Sequence, residues 1–198
     1  MRKFEIFLIS ICLFFNISAY SYSTDPQEFV SKLVTEAISK LSNKSLTKDQ
    51  KAEFIKKIAL QNVDIKALSL YTLGELRKSS NKSDIDNFKK TFERYFLKSL
   101  TSRLSDYSSS EFKVIGSEQK SANYTIVNSE IVPNDNGPEI KVDWRVFTKD
   151  PNKPLIRDLI VEGLSLARTQ KEEFASILIS NNNDINALIQ KLEEFINN

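Results

Sequence analysis

Apolar residues recur every three or four positions along the first half of the chain, a spacing that predicts amphipathic helices. Three of these helices begin at side chains that can cap a helix N-terminus, namely Asp25, Thr47 and Asp64. Gly74 stands where the third helix would end in a left-handed cap. The early part of the chain is therefore predicted to be helical.

The longest helix is predicted between Ser83 and Tyr107. Its apolar side chains keep spacings of three and four over the whole range, at Ile85, Phe88, Phe92, Tyr95, Phe96, Leu100, Leu104 and Tyr107. The same spacing predicts two shorter helices at the end of the chain, at about 172–179 and 184–196.

Between residues 112 and 162 the spacing of apolar residues changes to the alternation that is typical of β-strands. In the most regular stretch, 140–146, one face is apolar and the other is polar. Dense turn signals lie at 133–138 and 150–154, and another strand is predicted at 155–162. Strands joined by turns imply a mainly antiparallel sheet with helices on one side, which is an α+β fold.

The N-terminus has the features of an export signal. Arg2 and Lys3 precede an apolar run at 6–15, and Ser21 ends a short stretch of mostly small residues. This order predicts a signal peptide over 1–21 that is cleaved near Ser21, leaving one domain over 22–198. The alternative is an uncleaved membrane anchor, but the apolar run is well short of the roughly 20 residues that span a bilayer.

Composition and charge narrow the chemistry of the mature domain. The 198 residues include no His, one Cys and one Met. Without His, neither a Ser-His-Asp triad nor a Cys-His pair can form, and metal sites with imidazole ligands are excluded. The Cys and the Met both fall within the predicted signal peptide. A net charge of +2 gives no reason to expect a nucleic acid partner. Neither a metal nor an organic cofactor is expected.

Several short sequence motifs occur along the chain in a particular order and at particular distances from one another. They are Asp25-Pro26-Gln27-Glu28-Phe29-Val30, Val63-Asp64, Leu73-Gly74, Val142-Asp143-Trp144 and the run from Asp158 to Leu166. In this order they resemble the MlaC-type periplasmic phospholipid-binding proteins, also called the toluene-tolerance auxiliary component family. The resemblance covers nearly all of residues 25–197, and Glu162-Gly163-x-Ser165 is its most distinctive part.

The resemblance implies a fold and a function. The fold would be like that of nuclear transport factor 2, with a curved, mainly antiparallel sheet and helices around an apolar cavity. The function would be that of a soluble periplasmic carrier that helps to maintain outer-membrane lipid asymmetry. It would shuttle phospholipid between an outer-membrane lipoprotein complex and an inner-membrane ABC transporter with a lipid-binding ring.

The predicted lipid cavity is lined by apolar side chains, most of them on the inward faces of the long helix and the central strand. These candidate residues are Leu73, Phe88, Phe92, Phe96, Val142, Trp144, Val146 and Ile160. Arg77, Pro154 and Arg157 stand where the family often has aromatic residues. Of these, Arg77 and Arg157 are predicted to lie at the mouth of the cavity, where a guanidinium can bind a lipid phosphate.

Two other kinds of function remain open on the sequence alone. One is a small enzyme of the same fold that uses Asp143 or Asp158 as a buried carboxylate base. The other is an adaptor subunit of an ABC transporter with a filled core and no bound lipid. The four glycines form no loop that could hold a phosphate, which argues against nucleotide chemistry. No catalytic residue is therefore assigned.

Overall fold

The computed structural model describes residues 22–104, 110–133 and 137–198. Within these ranges the helices are α1 (Pro26–Leu41), α2 (Lys48–Asn62), α3 (Ile65–Thr72), α4 (Leu76–Ser79), α5 (Lys82–Leu104), α6 (Leu166–Ser180) and α7 (Ile185–Asn197). The strands are β1 (Ser110–Ser121), β2 (Tyr124–Pro133), β3 (Ile140–Phe147), β4 (Leu155–Val161) and β5 (Leu164–Ser165). The predicted signal peptide, its cleavage site near Ser21 and the predicted helix end at Tyr107 lie outside the described residues.

The first three helices begin where their capping residues predict. The Asp25 carboxylate accepts a hydrogen bond from the backbone N–H of Glu28 at 2.8 Å. Thr47 and Gln50 make both bonds of a capping box, at 2.9 and 3.2 Å. The Asp64 side chain caps α3. Local hydrogen bonds therefore set the starts of α1, α2 and α3.

The sixth helix begins earlier than the sequence predicts. It starts at Leu166 instead of near residue 172, because the Ser165 side chain accepts the backbone N–H of Arg168 at 3.0 Å. Ser165 also belongs to β5, so the strand passes directly into the helix. This arrangement places the N-terminus of α6 at the edge of the sheet.

All five strands form one curved antiparallel sheet, in the order β1-β2-β3-β4-β5. The prediction of a mainly antiparallel sheet in an α+β fold is confirmed. The link from β4 to β5 is a two-residue turn in which Glu162 and Gly163 have φ angles of 49° and 81°. Two positive φ angles in a two-residue link define a type I′ turn, which matches the twist of paired strands.

A bulge in β4 breaks the alternation of its side chains. Pairing with β3 passes from Arg145–Asp158 to Val146–Ile156, so Arg157 is the extra residue. Arg157 and Asp158 both contact residues on the same face of the sheet as Arg145. Ile156 points to the other face, where it packs with Val146.

The two faces of the sheet have different surroundings. Helices α1 and α2 lie over one face, called here the helix-side face, and the opposite one is called the outer face. The buried sheet cluster lies on the helix-side face and consists of Phe29, Val30, Leu33, Val127, Val146 and Ile156. On the outer face, Asp143 and Arg145 project from β3.

A second buried cluster lies among the helices. This helical cluster consists of Ile65, Leu73, Phe88, Phe92, Phe174, Leu178, Ile185, Leu188 and Leu192. Val63 packs against both clusters and forms a parallel bridge with Ile156. The segment before α3 therefore joins the two cores. Across the described ranges, none of the helices has both the length and the apolar character needed to cross a bilayer.

Candidate functional site

The structure divides the eight predicted cavity residues among three places. Four belong to the helical cluster or pack against it, namely Leu73, Phe88, Phe92 and Phe96. Three share the helix-side face of β3, namely Val142, Trp144 and Val146. Ile160 pairs with Asp143 and therefore lies on the outer face, directed away from Trp144. The eight side chains do not surround one space, and their contact with a ligand stays a prediction.

Phe88 and Phe92 are enclosed by other side chains. Their exposed fractions are 0% and 2%, and each ring meets the Phe174 ring edge-on with centroids 6.2 Å apart. Phe174 was not among the predicted site residues, because one aromatic on a short helix does not reveal what it contacts. In this structure the three rings fill the centre of the helical cluster.

A row of half-buried apolar side chains crosses the helix-side face of the sheet. These residues, called here the apolar strip, come from four strands and are Phe112, Val114, Ile131, Ile140, Trp144, Leu159 and Val161. The strand register places Phe112 beside Ile131 and Trp144 beside Leu159. Because each member is partly exposed, the helices over this face do not cover the strip completely.

Trp144 is held at the centre of the strip by hydrogen bonds. Its indole Nε1–H donates to the Ser129 Oγ at 2.9 Å, and the Ser129 hydroxyl donates to the Val142 carbonyl at 2.8 Å. The Phe112 ring meets the indole edge-on, with centroids 6.2 Å apart. The polar atom of the indole is therefore satisfied inside the protein, and its rings remain available for apolar contacts.

Arg157 is bound by partners within the protein. Its guanidinium contacts the Asp64 carboxylate at 2.7 and 2.8 Å, donates to the Tyr124 hydroxyl at 3.1 Å and lies 3.4 Å from the centre of the Phe147 ring. Burial lowers the pKa of Arg157, but the bonds to Tyr124 and Asp64 outweigh burial and raise its pKa above the ordinary value. Arg157 thus ties the start of α3 to the sheet.

The second arginine predicted at the mouth lies elsewhere. Arg77 donates to the Gly74 carbonyl at 2.7 Å, just past the end of α3, where Gly74 has a φ angle of 61°. Arg157 contacts Asp64 at the opposite end of this eight-residue helix, which is roughly 12 Å long. The structure therefore does not bring the two arginines together, and a phosphate contact of either one stays a prediction.

The two carboxylates that an enzyme could use have protein partners. Asp143 accepts a hydrogen bond from the Asn128 amide at 2.7 Å. The buried Asp158 accepts from the Ser165 hydroxyl at 2.7 Å and from a backbone N–H at the start of α6, and it lies 3.6 Å from Arg145. Asp158 therefore stabilises the start of α6. Among the described residues, no group of His, Cys, Asp and Glu is arranged to hold a metal ion.

Two depressions on the described surface have charged walls. One, of about 370 Å³, lies between Ile65 on α3 and Lys90 on α5. The other, of about 570 Å³, lies on the outer face around Tyr124 and Arg145. Neither is lined by members of the apolar strip.

The fold and the strip together define a class of small α+β proteins in which helices partly cover an apolar face of one antiparallel sheet. The family model of the MlaC protein matches residues 31–194, and the chain belongs to the MlaC family. The resemblance stated from the sequence is thereby confirmed.

A solved structure shows the same fold. It is a phospholipid-binding protein from Ralstonia solanacearum in complex with a phospholipid, with a TM-score of 0.72 and 19% sequence identity. The likeness covers 87% of this chain and 97% of that chain. A search of curated proteins found no match. The α+β fold class inferred from the sequence is therefore confirmed by an independent structure.

Proposed function

We propose that this protein binds a phospholipid and carries it between membranes. Membership of the MlaC family and the likeness to the phospholipid-binding protein of Ralstonia solanacearum support this class of ligand. The observation that carries the proposal is the apolar strip, because it offers partly uncovered apolar side chains on the face that the helices overlie. The acyl chain of the lipid would lie along this strip, against Trp144 and Leu159.

The energetics of acyl chains explain why such a surface is needed. Exposing a chain to water costs about 0.8 kcal/mol per methylene group, so a tail of about 16 carbons costs roughly 12 kcal/mol. The strip crosses four neighbouring strands, which at the usual strand spacing is about 14 Å. It can therefore contact much of one acyl chain. The carrier must not bind lipid much more tightly than a bilayer does, since delivery would then fail.

The mechanism requires binding and release, without a covalent step. Lipid enters when the helices over the strip move away from it, and the complex closes once the chain is covered. The residues of the site hold the lipid by contact alone, and no side chain forms a covalent bond with it.

We further propose that the carrier works in the periplasm, between an outer-membrane lipoprotein complex and an inner-membrane ABC transporter. Family membership and the basic and apolar order of residues 1–21 support this. N-terminal sequencing of protein recovered from the periplasm is expected to begin at Tyr22. A membrane-bound protein that still begins at Met1 would contradict export by cleavage.

Two neighbouring residues of β4 provide a matched test of the lipid site. Leu159 belongs to the strip, and Ile160 is also half-buried but lies on the outer face. Leu159→Ser is expected to lower the amount of phospholipid that co-purifies with the protein about tenfold, because apolar contact area is lost. Ile160→Ser should leave it unchanged. Native mass spectrometry and lipid extraction measure the bound phospholipid.

The outcomes separate the location of the site from the function. Equal phospholipid content in Leu159→Ser and Ile160→Ser would contradict a site on the helix-side face. A well-folded wild-type protein without any co-purifying phospholipid would overturn the carrier function and favour the adaptor. Thermal unfolding of both variants controls for general loss of structure.

A further inference from the structure

Two leucines stand exposed beside the turn between β4 and β5. The exposed fractions of Leu164 and Leu166 are 69% and 49%. A single exposed leucine is ordinary, but two of them, two residues apart beside one turn, make a small apolar patch. Their position beside the most distinctive motif of the sequence, Glu162-Gly163-x-Ser165, calls for an explanation.

The strand register makes Leu164 a continuation of the apolar strip. Leu164 pairs with Val161, and Val161 pairs with Val142, so the three side chains share the helix-side face. Exposure increases along this row, because Val142 is 4% exposed, Val161 is half-buried and Leu164 is 69% exposed. The row therefore leads from the interior of the protein to the edge of the sheet without an intervening polar residue.

Hydrogen bonds fix the turn that presents these leucines. The backbone N–H of Glu162 donates to the Lys141 carbonyl at 3.0 Å, and the Lys141 N–H donates to the Glu162 carboxylate at 2.5 Å. Past the turn, the Ser165 hydroxyl donates to Asp158 at 2.7 Å. The type I′ turn itself suits the strand twist. The hydrogen-bonded backbone of the turn therefore holds Leu164 and Leu166 in exposed positions.

We infer that Leu164 and Leu166 form the rim over which a phospholipid acyl chain passes between a bilayer and the apolar strip. This inference rests on the proposed function. During transfer some methylene groups leave one apolar environment before they reach the other, and apolar side chains at the rim replace water around them. Exposed Lys141 and Arg168 flank the turn together with the Glu162 carboxylate, so cations outnumber the anion on the side that would approach the phosphates of a lipid surface.

A rim affects the rate of transfer more than the amount of lipid held. The double variant Leu164→Ser/Leu166→Ser is expected to transfer lipid about tenfold more slowly, the effect of about two further methylene groups exposed in the transition state. The amount of phospholipid bound at equilibrium should stay at the wild-type value, because both leucines are largely exposed.

The experiment measures transfer of an acyl-labelled fluorescent phospholipid between vesicles made of equal parts of phosphatidylethanolamine and phosphatidylglycerol. Ile179→Ser is the matched control, because Ile179 is 74% exposed at the far end of α6, about 20 Å from Leu166. Its transfer rate should equal that of the wild type. Leu164→Phe keeps an apolar side chain at the rim and should transfer lipid at close to the wild-type rate.

Each result decides between the alternatives. Wild-type transfer by the double serine variant would overturn the rim while leaving the proposed function intact. Loss of bound lipid in proportion to the loss of rate would also overturn it, since the leucines would then belong to the binding site. If the wild-type protein takes no phospholipid from these vesicles, the proposed function itself fails. Circular dichroism should show the same thermal unfolding for all three variants and the wild type.

Discussion

Replacing Phe88 with alanine is expected to lower the free energy of unfolding by about 3–5 kcal/mol. The side chain is fully buried, and its ring contacts those of Phe92 and Phe174 with centroids 5.9 and 6.2 Å apart. Truncation therefore leaves a cavity among closely packed helices that can relax only in part. Urea unfolding followed by circular dichroism measures the change.

Phe195 provides the control for this prediction. It also lies in the helical part of the protein, against Tyr95, but it is 41% exposed. Phe195→Ala should cost less than half as much as Phe88→Ala, because less apolar surface returns to water. A smaller loss for Phe88→Ala than for Phe195→Ala, together with loss of bound phospholipid, would contradict a packing role. It would support the lipid contact that the sequence predicts for Phe88.

Replacing Arg157 with alanine is expected to lower the free energy of unfolding by about 2–3 kcal/mol. The change leaves the Asp64 carboxylate without its cation and uncovers the Phe147 ring. The expected loss is below that for a fully buried pair, because 25% of the Arg157 side chain is exposed. Arg157→Lys should recover only part of it, since an ammonium cannot make the paired contacts of a guanidinium. Urea unfolding again supplies the measurement.

An exposed ion pair controls for the effect of charge alone. Lys78→Ala removes the partner of Glu75 on the surface and should leave the free energy of unfolding nearly unchanged. A double-mutant cycle with Asp64→Ala isolates the contact itself. Strict additivity of Arg157→Ala and Asp64→Ala would show that the pair does not hold α3 to the sheet.

Elements of the fold that depend on local signals could be predicted from the sequence. Caps at Asp25, Thr47 and Asp64 need only residues three positions away, and the alternation at 140–146 defines the two faces of β3 by itself. The start of α6 was missed because Ser165 serves both a two-residue strand and a helix. Such a junction depends on the pairing of β5 with β4, and the local spacing of apolar residues does not indicate that pairing.

The residues of the candidate site could be predicted less completely than the elements of the fold. The bulge in β4 explains part of the difference between the predicted and the observed site. Strict alternation would place Ile156, Asp158 and Ile160 on one face of the sheet. The extra residue, Arg157, moves Leu159 to the face of Ile156 and turns Ile160 outward. A periodic pattern cannot show a one-residue insertion in the pairing when the residues around it are a mixture of apolar and charged types.

The separation of the core into two clusters depends on long-range contacts. Phe88 and Phe92 have helical spacing that identifies an inward face, but the partner of that face is Phe174, far along the chain. The network of Arg157 likewise joins Asp64, Tyr124 and Phe147 from three separate elements. Spacing tells which side chains are buried, and only the assembled structure tells which of them pack together.

Trp144 is the only tryptophan in the chain. Its indole is anchored through Ser129 and stands at the centre of the apolar strip, with Phe112 as its aromatic neighbour. The molecule therefore carries its single tryptophan fluorophore at the surface where the lipid is proposed to lie. Displacement of water by an acyl chain would shift its emission to shorter wavelength, so loading and unloading can be followed in real time without an attached dye.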